Sequence, residues 1–245
     1  REGIMSNEER RCLLDEKVDV LLECPFSEDV TSMSAEDFIR KILIEKIHAR
    51  YIVIGTDFHF GHDKRGDAKM LAEYAGVYGY ELFVIEKEMY GEREISSSYV
   101  REELRKGNME AVNDMLGYAY TVRGKVEHGR QLGRKLGFPT LNVHPSKDKL
   151  LPPNGVYLDS VRIDGIWYNG IGNVGFNPTV SDENRMLIES NLLDYSGDAY
   201  GKEVEIQLYH FKRPEQKFES IEMMKAQIDQ DIAYAKEFFR YHHKK

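Results

Sequence analysis

The segment Gly129–Asn142, GRQLGRKLGFPTLN, concentrates residue types that handle phosphate. Gly124, Gly129, Gly133 and Gly137 are interleaved with Arg123, Lys125, Arg130, Arg134 and Lys135. Glycine lets backbone N–H groups approach an anion closely, and basic side chains neutralise it. The stretch lacks the G-K-[ST] ending of a Walker A loop, so a P-loop is not indicated. On glycine spacing alone, simple turns between strands are the better reading. Phe138-Pro139-Thr140-Leu141-Asn142 then places a hydroxyl and an amide oxygen two residues apart, on one face of an extended segment. Both oxygens suit Mg²⁺, which keeps several waters and bridges nucleotide phosphates. Local turn hydrogen bonds are the alternative use of the same pair. Further along, Glu189 interrupts an apolar strand-like run, on the same face as Leu187. A carboxylate on an inward face is costly unless it has a task or a partner. The task is that of a general base in phosphoryl transfer; the alternative is an edge residue paired with Arg185 or Lys202.

These groups need a scaffold, and the scaffold changes character near Gly117. Before it, residues 8–22 read as a helix, and Ser34 caps a second helix running to Ala49. Tyr51–Gly55 reads as a buried parallel strand, 66–80 as a helix, and Glu81–Glu86 as another strand. That alternation predicts an α/β sheet. Ser97 or Ser98 caps a further helix that ends at Gly107. After Gly117, short β-branched and aromatic segments are punctuated by Gly, Pro and Asn, as in an all-β barrel. Asp164-Gly165 reads as a hairpin turn, and a packing helix starts at Ser220. The expected domains are 1–117 and 118–245.

The second half resembles the riboflavin kinase family. Its G-x-V-x-x-G…G-x-x-L-G-F-P-T-A-N signature is matched by Gly124, Val126, Gly129, Gly133 and Leu136 through Asn142, with Leu141 for the usual Ala. The likeness continues through GVYLDSVRIDG, GNVGFNPTV and the stretch from Met186 to Phe218. It implies an ATP- and Mg²⁺-dependent kinase that converts riboflavin to FMN. Glu189 takes the base role, Gly129, Gly133 and Arg134 the phosphates, and Thr140 and Asn142 the metal. Leu192, Asp194, Tyr200, Arg213 and Phe218 would line the flavin. The alternative is a non-catalytic flavin-binding or regulatory module on the same scaffold.

The first half resembles the FAD synthetase (FMN adenylyltransferase) partner of bacterial riboflavin kinases. Gly55, Asp57, Phe58 and Phe60 match G-x-D-F-x-F-G. Ser96, Ser97 and Arg101 match I-S-S-T-x-I-R, with Ser98 for Thr. His59-Phe60-Gly61-His62 spells H-x-G-H, yet its flanks align it with the second motif rather than with the family's own H-x-G-H. That first motif, preceded by G-x-F-D-G, does not occur before residue 50. The implied fold is an incomplete Rossmann-like nucleotidyltransferase domain followed by a kinase-type β-barrel with a C-terminal helix. The expectation is an N-terminally truncated adenylyltransferase half, inactive or crippled in this form, from an intact parent that also makes FAD.

The bulk properties agree with small-molecule substrates. The 245 residues carry a formal net charge of −8, against a nucleic-acid partner. No apolar run approaches the roughly 20 residues of a membrane span, and no signal-peptide core opens the chain. Cys12 and Cys24 read as incidental thiols in a reducing cytoplasm. Oligomeric state is not legible.

Overall fold

The computed structural model describes residues 2–242 except 16, 26, 130–132, 134–136 and 178–184. They form two compact units: residues 20–95, and residues 1–19 together with 96–245.

Helix α1 (Asn7–Asp15) belongs to the second unit. It is shorter than expected: Val18 and Leu21, the apolar residues of the expected helix beyond Asp15, are exposed and have little to bury against. The 20–95 unit begins with short helices α2 (Glu28–Thr31) and α3 (Ala35–Asp37). Ser34 caps α3 by accepting from the Asp37 N–H at 3.1 Å. The helix then widens into a π-helix, Phe38–Lys46. This explains the imperfect helical pattern of the sequence: a five-residue turn stacks Phe38 over Leu43 and Ile39 over Ile44, and all four join the core.

Strands β1 (Tyr51–Gly55) and β2 (Glu81–Ile85) pair in parallel around α4 (Ala68–Tyr78). Asp67 caps α4 by accepting from the Met70 N–H, and Gly79 ends it at φ +73°. Ile52 and Ile54 are buried against Ile39, Phe60, Leu71 and Tyr80. Tyr51, Val53, Phe83 and Ile85 are exposed, so the sheet is covered on one face only, short of the burial a parallel strand predicts. Strands β3 (Met89–Tyr90) and β4 (Arg93–Glu94) form a small hairpin.

In the second unit, α5 (Ser97–Lys106) and α6 (Met109–Leu116) end at Gly107 and Gly117, both left-handed. Ser96, not Ser97 or Ser98, is the cap of α5. Asn113 of α6 accepts from the Tyr120 N–H and donates to the Leu208 carbonyl, which ties this helix pair to the sheet that follows.

That sheet is a closed antiparallel barrel of β5 (Tyr120–Glu127), β6 (Leu141–Val143), β7 (Gly155–Ile163), β8 (Ile166–Asn177), β9 (Arg185–Leu192) and β10 (Glu203–Arg213). Its strand order is β10-β5-β6-β9-β8-β7. Asp164 and Gly165 both take positive φ at the predicted β7–β8 turn. Helix α7 (Ile221–His242) packs outside, with Ala235 and Phe239 against Leu158 and Ile171. The chain start is strapped to the barrel as well. Gly3 bridges Lys149, and the buried Lys149 ammonium meets the Glu9 carboxylate at 2.8 Å.

Candidate functional site

Strand register assembles the site. Glu189 on β9 pairs with Asn142 of β6 on one side and with Asn173 of β8 on the other. One carboxylate therefore lies between two carboxamides on three adjacent strands. Leu187, Glu189 and Asn191 line a cavity of about 760 Å³, while Ile188 and Ser190 on the alternate face are fully buried. The face shared by Leu187 and Glu189 thus opens to the cavity, not to the barrel interior. Thr140 and Asn142 line the same cavity, and Asn191 donates to the Pro139 carbonyl at 2.8 Å. This bond fixes the Pro-Thr segment to β9.

The glycines act by close approach more than by turning. Neither Gly129 nor Gly133 has a left-handed backbone. A Cβ on Gly129 would stand 2.6 Å from both the nitrogen and oxygen of the Asn142 amide. One on Gly133 would collide with the Phe138 carbonyl. Gly133 also accepts the Phe138 N–H at 2.8 Å. At both positions the neighbouring atoms leave room only for glycine. Arg134, with Arg130 and Lys135, lies outside the described residues.

The far wall comes from the end of β10, the segment after it and α7. Arg213 and Phe218 line the cavity, as do Met224 and Ile228. Arg213 is held from behind: its Nε and Nη2 donate to one oxygen of the nearly buried Asp231, at 3.0 and 2.7 Å. Gln227 donates to the other oxygen. Glu215 accepts from Asn173 at 2.8 Å, linking this wall to the Glu189 strands.

The remaining three flavin-side expectations do not reach this cavity. Leu192 falls on the other face of β9 from Glu189, as the two-residue period requires. Asp194 and Tyr200 follow the strand, and Tyr200 stacks on His128 with ring centroids 3.8 Å apart. Conversely, Asn173, Glu215 and Asp231 carry polar geometry that residue types alone did not mark. The R-x-E spacing of Arg213 and Glu215 was the available signal for one of them.

The donor set can hold a divalent cation. Thr140 and Asn142 offer a hydroxyl and an amide oxygen, hard ligands suited to Mg²⁺ bridging phosphates. Among the described residues no group of three His, Cys, Asp or Glu side chains is placed to hold a metal. A cation here would thus draw its other ligands from water and nucleotide.

The first-half candidates divide between the two compact units. In residues 20–95, Gly55 ends β1 and Asp57 follows it, with the Lys87 ammonium at 2.6 Å holding the Asp57 carboxyl below its usual pKa. Phe58 stacks on the buried Phe60, and Gly66 presses against the Phe60 ring. His59 and His62 each direct Nδ1 to a backbone carbonyl, of Asp57 and Thr31. In the barrel unit, Ser96 caps α5, Ser97 is its first residue, and the Arg101 Nε is buried without a hydrogen-bond partner.

Comparison with known proteins divides the sequence elsewhere, between residues 99 and 116. Residues 116–239 match the riboflavin kinase family model, and residues 1–99 match the FAD synthetase model. A bifunctional riboflavin kinase/FMN adenylyltransferase of Listeria monocytogenes is 35% identical over 91% of this chain and 70% of its own length. The Escherichia coli K12 protein of the same name is 34% identical over 95% of this chain and 74% of its own. A crystal structure from Streptococcus pneumoniae, described as a macrolide-efflux protein, superposes with TM-score 0.86. It is 30% identical and covers 95% of this chain and 75% of its own. With both family models matched in order and such relatives aligned across nearly all of its length, the chain belongs to the bifunctional riboflavin kinase/FMN adenylyltransferase family.

Proposed function

We propose that the barrel unit transfers the γ-phosphoryl group of ATP to the 5′-hydroxyl of riboflavin, giving FMN, and that the intact protein also adenylylates FMN to FAD. The observation that carries the kinase reading is the placement of Glu189 between Asn142 and Asn173, with Thr140 on the same cavity wall. Nothing in the comparisons favours a non-catalytic module.

The chemistry needs little covalent help from the protein, since phosphoryl transfer rests on positioning and charge neutralisation. Glu189 accepts the proton of the attacking hydroxyl. Thr140 and Asn142 present oxygens toward the nucleotide side. A bound Mg²⁺ would supply neutralisation of the developing phosphate charge. Gly129 and Gly133 let their backbone approach Asn142 and the Phe138 carbonyl closely. Phe218, Met224 and Ile228 offer an apolar wall for an isoalloxazine ring, and Arg213, braced by Asp231, offers a polar anchor.

We place the boundary between the modules at 117/118, where the left-handed Gly117 ends α6 and Tyr118 leads into the barrel. The kinase family model begins two residues earlier. Packing does not follow that boundary, because α5 and α6 join the barrel unit.

Riboflavin, ATP and Mg²⁺ are expected to yield FMN, read by chromatography. Glu189→Gln is expected to lower turnover about 10²–10⁴-fold with nucleotide binding retained. Unchanged turnover would remove Glu189 as the base. Riboflavin binding without turnover in the wild type would favour the regulatory reading.

A further inference from the structure

Directly behind the site, inside the barrel, lies a carboxyl that the reaction does not use. Asp159 on β7 is fully buried. Its neighbour Leu158 packs outward against α7, so strand alternation points Asp159 inward. The Ser190 hydroxyl donates to Oδ1 at 2.9 Å, and Oδ2 has no partner. The carboxyl occupies space left open by two glycines of β8: a Cβ on Gly170 or on Gly172 would collide with it. Ser190 directly follows Glu189, and Gly172 directly precedes Asn173. The carboxyl thus touches the back of both strands at the one register where Glu189 and Asn173 face each other.

We propose that Asp159 is a positioning residue for phosphoryl transfer: its carboxyl, wedged behind β8 and β9, sets Asn173 opposite Glu189, and its ionisation withdraws that support. This rests on the reading of Glu189 as the base.

The electrostatics follow from the surroundings. Among the described residues, no cation lies within ion-pairing distance of Asp159. Burial pushes its pKa up to about 8, opposed only by the Ser190 hydrogen bond. At neutral pH it is the uncharged acid. The other titratable groups around it are three phenols and Glu189. Tyr157 shares its face of β7 and donates to the Pro153 carbonyl. Tyr120, in line with it across Leu208 of β10, donates to the Leu150 carbonyl. Tyr209 donates to Gln207. Burial raises all three phenols, so none of them ionises as pH passes 8. Glu189 lies on the opposite face of β9 from Ser190. Above pH 8 the buried charge must recruit water or move, and at Gly170 and Gly172 no side chain resists the opening.

The sign of the linkage is definite. Below about pH 4 both folded and unfolded chains hold the proton. Between about pH 4 and 8 only the folded chain does, so stability falls as pH rises, and it levels above 8.

The test is the pH profile of riboflavin phosphorylation. Wild-type kcat is expected to fall above about pH 8 with little change in riboflavin KM. Asp159→Asn keeps the acceptor for Ser190 and cannot ionise, so its alkaline fall should move up by at least one pH unit. It should also hold the neutral-pH rate where Asp159→Ala loses about tenfold. Ser190→Ala removes the one group that lowers the pKa of Asp159, and should likewise shift the fall upward. Identical alkaline limbs in wild type and both conservative variants would overturn the proposal. Denaturant unfolding gives a readout independent of turnover: wild type should lose stability relative to Asp159→Asn from pH 5 to 8. Parallel stability curves would overturn it, whereas a wild type without kinase activity would overturn only the reading of Glu189.

Discussion

Asn142 shows how narrowly a single amide is placed. It is almost fully buried, pairs with Glu189 across the β6–β9 ladder, and is pressed by the Cα of Gly129. Gly129→Ala puts a methyl carbon where the Asn142 amide stands. The expected result is a loss of kcat of about 10-fold to 10²-fold, since an ångström of displacement at a reacting group costs on that order. Circular dichroism should remain that of the folded chain; an unaltered rate would show that Asn142 relaxes without consequence. That Thr140 and Asn142 share one face, and Leu187 and Glu189 another, was legible because the two-residue period of strands assigns faces without any tertiary knowledge; all four line one cavity. The same alternation puts Leu192 across the strand from Glu189, away from this cavity. Asn173 and Asp231 were not legible. Their roles depend on which strand lies beside which, and on the angle at which α7 crosses the barrel, and residue types state neither.

At the scale of elements, the strands and their turns followed their local chemistry. Asp164-Gly165 is a hairpin turn in sequence and in structure. Helices were less faithful. Helix α1 stops at Asp15 because the apolar residues after it are exposed, and the segment after Asp37 widens because its apolar residues repeat every five. The strap at the chain start left no local signal. Glu9 forms a reciprocal cap with Ser6, accepts from the Arg123 N–H and meets Lys149. Burial pulls the Lys149 pKa down while Glu9 opposes it. Lys149→Met alone leaves the Glu9 carboxylate buried without its cation, at an expected cost of about 3–5 kcal/mol. The double replacement Glu9→Leu/Lys149→Met is expected to recover most of that loss in chemical denaturation. A double-variant cost equal to the sum of the Glu9→Leu and Lys149→Met costs would show that the pair is not coupled.

For the molecule as a whole, family boundaries and packing boundaries do not coincide. Residues 1–19 and 96–99 fall in the span matched by FAD synthetase, yet they pack with the barrel matched by riboflavin kinase. Composition could locate the change from α/β to β grammar near Gly117. It could not report that α6 and the first helix pack onto the later half, because such contacts bridge long stretches of chain, 95 residues from Asn113 to Leu208 and 140 from Glu9 to Lys149. Deleting residues 1–19 is expected to lower the melting midpoint of the barrel by about 10 °C in calorimetry, because Lys149 then loses its counter-charge. Riboflavin phosphorylation at low temperature should survive, since none of that segment's described residues lines the cavity. An unchanged midpoint would mean that the strap contributes nothing to stability.

The strap also sets an order of events during synthesis. Glu9 leaves the ribosome 140 residues ahead of Lys149, its cation. The barrel that buries this pair closes only when β10 has been made, because β10 joins β5 to β7. A nascent chain therefore carries Glu9 and its helix unanchored until β10 has been translated, so a segment made before the barrel is fixed only after the barrel is complete.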